Sequence, residues 1–308
     1  MKRLGILCPG QGGQHPAMFD LVAECPEAQP AFQAAAAVLG EDPRRWVSSR
    51  PPEGLFQNRW AQPLICTATL AAWSVLEPRL PQPVAFAGYS LGELAAYGCA
   101  GALAPAEALR LACLRAELMN AAAQPPSGLV AVRGLAAPVV ERLCREIGAE
   151  IAIVNASDHY VLGAPATHLP ALERRARTLG ACTVQRLPVD VASHTSFMTS
   201  AARQFEAALE RARFRDPRIP VLAAGDGRLV RDRETAVRML AAQLAATVQW
   251  ARCLEGLYEL GCRVLLELPP ASGLARMATE AYPHVAARAV EDFRTAAGAA
   301  DWVARQMR

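Results

Sequence analysis

Several absences narrow the reading of these 308 residues before any motif is considered. No stretch approaches the ~18 uncharged apolar residues that a membrane-spanning helix needs, and the hydrophobic share of 52% comes largely from alanine spread along the chain. That excludes an integral membrane protein. The nine cysteines are odd in number and form no CxxC pair, which argues against a disulfide framework and against a zinc site. No cluster of histidine and cysteine has metal-ligand spacing. Excess charge is also scarce: 32 basic against 29 acidic side chains leave +3, too little to imply a nucleic-acid partner. Repeats, heptads and low-complexity tracts are missing. The charged start Met1-Lys2-Arg3 resembles a signal-peptide head, but Pro9-Gly10-Gln11-Gly12-Gly13 cuts off its apolar stretch at once, so a cytoplasmic protein is expected.

What is present reads as a large folded chain with a second, smaller domain. Residues 3–8 form a short apolar run ended by the proline and glycine cluster, as expected of a buried strand entering a tight loop. Helical spacing predicts helices over 31–39 and 64–76, with Pro63 suited to a first turn and Pro78 to a stop. A second buried strand is predicted over 84–88, followed by a sharp turn and a helix over 94–99, and another helix over 105–122. From about 128 to 188 the order changes to strand 129–132, helix 138–147, strands 151–155 and 160–163, helix 169–179 and strand 183–187. That is βαββαβ, the split unit of ferredoxin-like domains. Helices over 197–213, 235–245 and 250–260, a strand over 262–268, a helix over 273–281, a strand over 285–290 and a last helix over 296–306 complete the pattern. The expectation is an α/β protein whose large domain, 1–127 with 190–308, has a mainly parallel sheet, and whose inserted small domain is 128–189.

Gly88-Tyr89-Ser90-Leu91-Gly92 matches the GxSxG nucleophile elbow and lies in its required context between a strand and a helix. Glycines two residues either side of Ser90 remove side chains that would clash in so sharp a turn, and a helix N-terminus lies beneath the hydroxyl. A serine nucleophile needs a base and donors for the oxyanion. Among five histidines (15, 159, 168, 194 and 284), His194 follows the small domain and precedes a helix. His284 is its rival, because α/β-hydrolases place their histidine late in the chain. Spacing alone does not choose between them. Arg115 shares a helical stripe with Leu111, Leu118 and Ala122, so a guanidinium faces inward. It either forks a substrate carboxylate or forms a structural ion pair. The loop Pro9 to Gln14 offers backbone amides to an anion but lacks both the P-loop and the dinucleotide pattern.

Taken together, Pro9-Gly10-Gln11-Gly12-Gly13-Gln14, Gly88-Tyr89-Ser90-Leu91-Gly92-Glu93, Leu114-Arg115-Ala116, Ser193-His194 and Ala242-Gln243-Leu244 ahead of Val248-Gln249-Trp250 resemble the malonyl-CoA:acyl carrier protein transacylases. The resemblance spans essentially the whole chain. It implies an α/β-hydrolase-like large domain with a ferredoxin-like insertion, and a ping-pong acyl transfer. In that scheme Ser90, deprotonated by His194, takes malonyl from malonyl-CoA, the backbone amides of Leu91 and Gln11 hold the oxyanion, and Arg115 binds the free carboxylate. Gln243 supports the site, and His194 then activates the phosphopantetheine-type thiol of an acyl carrier protein. No permanently bound cofactor and no metal are implied. Three departures stand out: Tyr89 where the family has histidine, Leu268-Pro269-Pro270-Ala271 where it has Gly-Pro-Gly, and His159 where it has glutamine. These, with the chain length, point toward the malonate decarboxylase branch, whose acyltransferase serves that complex's own carrier and would contact its other subunits. The alternatives are the transacylase of fatty-acid synthesis, a serine esterase using Ser90, His284 and Asp226 or Asp292, and a non-catalytic scaffold. A module of a polyketide or fatty-acid megasynthase is disfavoured at this length.

Overall fold

The computed structural model describes residues 2–308; Met1, the first residue of the charged start, lies outside them. In chain order the elements are β1 (Arg3–Cys8), α1 (Gln29–Leu39), α2 (Pro43–Ser49), α3 (Asn58–Leu76), β2 (Ala85–Gly88), α4 (Leu91–Cys99) and α5 (Pro105–Ala122). The split unit follows as β3 (Ser127–Arg133), α6 (Ala137–Ile147), β4 (Glu150–Ala156), β5 (His159–Pro165), α7 (Leu169–Thr178) and β6 (Thr183–Arg186). The chain then forms α8 (Thr199–Arg211), β7 (Val221–Leu222), β8 (Leu229–Val230), α9 (Arg233–Ala242), α10 (Trp250–Glu259), β9 (Cys262–Glu267), α11 (Gly273–Ala281), β10 (Ala286–Ala289) and α12 (Ala296–Met307).

The large sheet has the order β10-β9-β1-β2-β7-β8 and is parallel throughout except for the β7–β8 pair. Its central strands are buried on both faces, which explains why β1 and β2 read as unbroken apolar runs rather than alternating ones. The register Cys8↔Gly88 brings the C-terminal ends of β1 and β2 side by side. The glycine loop after β1 and the turn after β2 therefore meet at one sheet edge, where open α/β sheets place their ligands.

The second sheet is antiparallel with the order β4-β5-β3-β6, the arrangement of a ferredoxin-like unit. One face packs α6 and α7 over Val130, Val132, Tyr160 and Leu162. From the other face, Leu129, Ile153 and Val161 join the core of the large sheet around Trp250. An edge contact ties the two together: Val154 N–H donates to the Val248 carbonyl at 2.8 Å, and Val248 N–H to the Ala152 carbonyl at 2.9 Å.

The structure corrects several local expectations. Helix α3 begins at Asn58, so Pro63 lies inside it instead of in its first turn. The additional turn is held by burial of Ala61 and Gln62 and by Trp60 packing on the Trp46 ring at 5.0 Å. The two-residue strands β7 and β8 and the short α2 carry too few residues for a periodicity to show. Helix α9 stops at Ala242, earlier than expected; Gln243 caps it with a helical backbone, and the carbonyls of Gln243 and Leu244 are left free to accept from outside the helix. All nine cysteines are free thiols. Among the described residues no helix is long and apolar enough to cross a membrane.

Candidate active site

Ser90 stands between β2 and α4 with φ 56° and ψ −116°, a backbone conformation that side-chain-bearing residues rarely adopt. Two close approaches hold it there. A Cβ on Gly88 would lie 2.1 Å from the Glu93 nitrogen, and one on Gly92 would lie 2.0 Å from the Cys8 carbonyl oxygen. Only glycine lets α4 start this tightly against the ends of β1 and β2. As the first residue of α4, Leu91 has a backbone N–H without an intrahelical acceptor. Gln11, in the turn after β1, borders the same cleft.

Ser90 Oγ lies 2.7 Å from Nε2 of His194. The other ring nitrogen, Nδ1, is 2.7 Å from the main-chain carbonyl of Gln243. A carbonyl oxygen can only accept, so Nδ1 carries the hydrogen, and Nε2 is left with a lone pair facing the serine hydroxyl. The His194 backbone is also pinned: φ is 63°, and its N–H donates to the Leu244 carbonyl at 2.8 Å. Both acceptors come from the residues that follow the early end of α9. Burial, together with the positive charge of Arg115, pushes the His194 imidazolium down to about 3, against the opposing pull of the Gln243 carbonyl. The ring is neutral at physiological pH, as a general base must be.

Arg115 is fully buried on α5. Its Nη1 donates to Gln62 Oε1 at 2.9 Å and its Nη2 to Gln243 Oε1 at 3.2 Å, while Nε has no partner among the described residues. Burial pushes it down to about 10, opposed by Glu93, so it remains a cation. Gln243 completes the circle: its Nε2 donates to the Ser90 carbonyl and to Glu93 Oε2, both at 2.8 Å. Arg115 does not border the main cleft, and its connection to Ser90 runs through Gln243.

The cleft itself measures about 750 Å³ and opens over Ser90, His194, Gln11 and Tyr89. The antiparallel sheet supplies one wall through Leu129, Ile153 and Val161. Tyr89 packs edge-on against Trp250, with ring centroids 5.3 Å apart. His159 stands half-buried in the lining, its imidazolium disfavoured by burial and by Arg133. Ala271 also lines the cleft, with φ 112°, where a glycine would be unstrained.

The rival constellation does not come together. His284 is exposed beyond α11 and does not border the cleft. Asp226 pairs with Arg228 at 2.7 Å, and Asp292 faces Arg288 at 3.5 Å. Sequence reasoning missed several buried polar residues at the site, among them Gln62, Glu93 and Glu267. Gln62 and Glu93 each interrupt a run of buried neighbours on an otherwise apolar helix, which is the signal that could have found them.

Comparison with known proteins is consistent with this geometry. The profile of the family described as acyl transferase domain matches residues 6–302. A malonyl CoA-acyl carrier protein transacylase of Mycobacterium tuberculosis is 34% identical over 293 residues, 94% of this chain and 96% of that protein. Its counterpart in Escherichia coli K12 is 31% identical, over 88% of this chain and 90% of its own length. Among solved structures, the transacylase of Coxiella burnetii superposes with a TM-score of 0.93 at 27% identity, covering 100% of this chain and 98% of that one. A malonyl-transacylase solved in complex with a type II PKS acyl-carrier protein gives a TM-score of 0.92 at 28% identity, covering 97% and 99%.

Proposed function

Because the chain belongs to the acyl transferase domain family, we propose that it is a malonyl-CoA:acyl carrier protein transacylase, with Ser90 as nucleophile and His194 as base. The observation that carries the reading is the Ser90 Oγ to His194 Nε2 contact of 2.7 Å at the head of a tightly built elbow. Ser90 Oγ attacks the thioester carbonyl of malonyl-CoA while its proton passes to Nε2. The oxyanion is met by the backbone N–H groups of Leu91 and Gln11. Collapse breaks the C–S bond, His194 returns the proton to the departing CoA thiolate, and a malonyl-Ser90 ester remains. In the second half His194 takes the proton of a carrier's phosphopantetheine-type thiol, the sulfur attacks the ester, and Ser90 leaves with the proton restored. Arg115 is assigned to the free malonyl carboxylate; its guanidinium, which does not border the cleft, must release Gln62 or Gln243 to pair with it, and its Nε is already without a partner among the described residues. Gln243 supports both Arg115 and His194.

The carrier is taken to be of the general acyl carrier protein kind. Relatives named as malonyl CoA-acyl carrier protein transacylases favour the fatty-acid synthesis reading over a malonate decarboxylase complex. We take residues 128–189 as an inserted domain and 1–127 with 190–308 as the body carrying the site. The test is a stable malonyl adduct on Ser90, read by intact mass after exposure to malonyl-CoA and abolished in Ser90→Ala. Folded protein that forms no adduct and releases no CoA overturns the assignment.

A further inference from the structure

We infer that Glu93, one turn into α4 behind the nucleophile, is a positioning residue that decides which way round the Gln243 side-chain amide sits, and through it the placement of Arg115 and His194. The inference rests on the acyl transfer proposed above.

The Gln243 amide has two faces, and its surroundings admit only one assignment. Glu93 is buried with 0% exposure. Its Oε2 accepts from Gln243 Nε2 at 2.8 Å and from the Ala224 backbone N–H at 3.1 Å. An ionised carboxylate can only accept, so Gln243 must turn its NH₂ toward Glu93, and the second hydrogen of that group reaches the Ser90 carbonyl. The amide oxygen then faces Arg115, whose guanidinium can only donate. Were the amide reversed, an N–H would confront the guanidinium and the carboxylate would lose its donor, two unsatisfied contacts in a dry interior. The same residue presents its main-chain oxygen to His194 Nδ1, so one orientation serves both the cation and the base.

Glu93 is also the acidic residue whose charge favours the buried Arg115 cation. The charged and titratable groups around it are Arg115 on α5, Asp226 in the turn after β7, Tyr97 on its own helix and Cys253 on α10. Burial pushes its carboxyl up to about 7, partly offset by the bonds from Gln243 and Ala224. His194 stays neutral far below that value. Glu267, which borders the cleft, is likewise raised to about 7, so a loss of activity as pH falls through neutrality is assigned to Glu93 by its disappearance in Glu93→Gln: a protonated carboxyl can turn its O–H toward Gln243 and then no longer helps to hold the amide.

The test uses the full chain with malonyl-CoA and a holo acyl carrier protein. Glu93→Gln keeps the shape and removes the charge. It is expected to lower kcat/KM by at least about tenfold, the size of one lost hydrogen bond to a charged group, and to abolish the activity loss near pH 7. A structural role alone would lower thermal stability without moving the pH profile. A folded Glu93→Gln with wild-type kcat/KM and an unchanged profile overturns the inference. Should that variant not accumulate, Glu267→Gln decides: with the other raised carboxyl of the cleft removed, kcat/KM is expected still to fall as pH drops below about 7, and a rate that stays flat down to pH ~5 overturns the inference. Absence of any Ser90 adduct in the wild type at neutral pH would instead count against the acyl-transfer reading, and the two failures are distinguishable.

Discussion

The main-chain carbonyl of Gln243 stands 2.7 Å from Nδ1 of His194, so a peptide oxygen performs the orienting task that an aspartate performs in a Ser-His-Asp triad. A carbonyl carries only a partial negative charge. It selects the tautomer but stabilises an imidazolium weakly, which agrees with the low proton affinity of the buried ring beside Arg115.

From this pairing, His194→Ala is expected to reduce adduct formation on Ser90 roughly 10³-fold, the usual share of a positioned general base. His284→Ala should stay within about twofold of wild type, because that ring is exposed and away from the cleft. Stopped-flow release of CoA measures both. A reversed ranking would favour the esterase arrangement.

Arg115→Ala addresses acyl choice. Removing the guanidinium deprives a malonyl carboxylate of a charge-assisted pair, so kcat/KM for malonyl-CoA is expected to drop roughly 100-fold while that for acetyl-CoA changes by only a few-fold. Equal losses for both thioesters would identify a purely structural arginine holding Gln62 and Gln243.

Gly92→Ala tests the construction of the elbow. With a methyl placed 2.0 Å from the Cys8 carbonyl oxygen, neither β1 nor α4 can yield without breaking main-chain pairing. A loss of roughly 4 kcal/mol in unfolding free energy is expected. Chemical denaturation checks it, and a change below about 1 kcal/mol would mean that the helix start is freer than drawn.

Glu267, at the end of β9, is buried and accepts the Ala275 backbone N–H at 2.7 Å at the start of α11. Burial raises its carboxyl to about 7 from the ordinary 4.5, with the helix N–H groups opposing the shift. A raised folded-state value means its contribution is fully present below about 4.5 and is lost as pH rises through about 7. The melting temperature of wild type relative to Glu267→Gln should therefore fall between pH 5 and pH 8.5. A pH-independent difference would show that this carboxyl titrates alike in the folded and unfolded chain.

Much of the site's local architecture was legible without coordinates. The run from Val84 through Gly92 encodes strand, turn and helix in consecutive residues, and the stripe on α5 correctly placed Arg115 inside. Helices α5 and α11 have the limits read from the sequence, 105–122 and 273–281. Pro63 misled because a proline suited to a first turn is also tolerated farther in when the preceding turn is held by buried neighbours. The strands β7 and β8 were invisible because two residues show no alternation. Glu93 was quoted within its motif, yet its function could not be read because its partner Gln243 lies 150 positions away.

What the chain order determined by itself is everything that depends on neighbours: the glycine-flanked turn at Ser90, the inward face of α5, and the βαββαβ rhythm from β3 to β6. Which imidazole meets that serine was a tertiary matter. Ser90 and His194 are separated by 104 positions, and they meet because parallel strands deliver their ends to one edge while α9 stops early enough to offer two carbonyls there. Periodicity and turn chemistry act over a few residues, whereas that meeting is fixed by how whole layers pack.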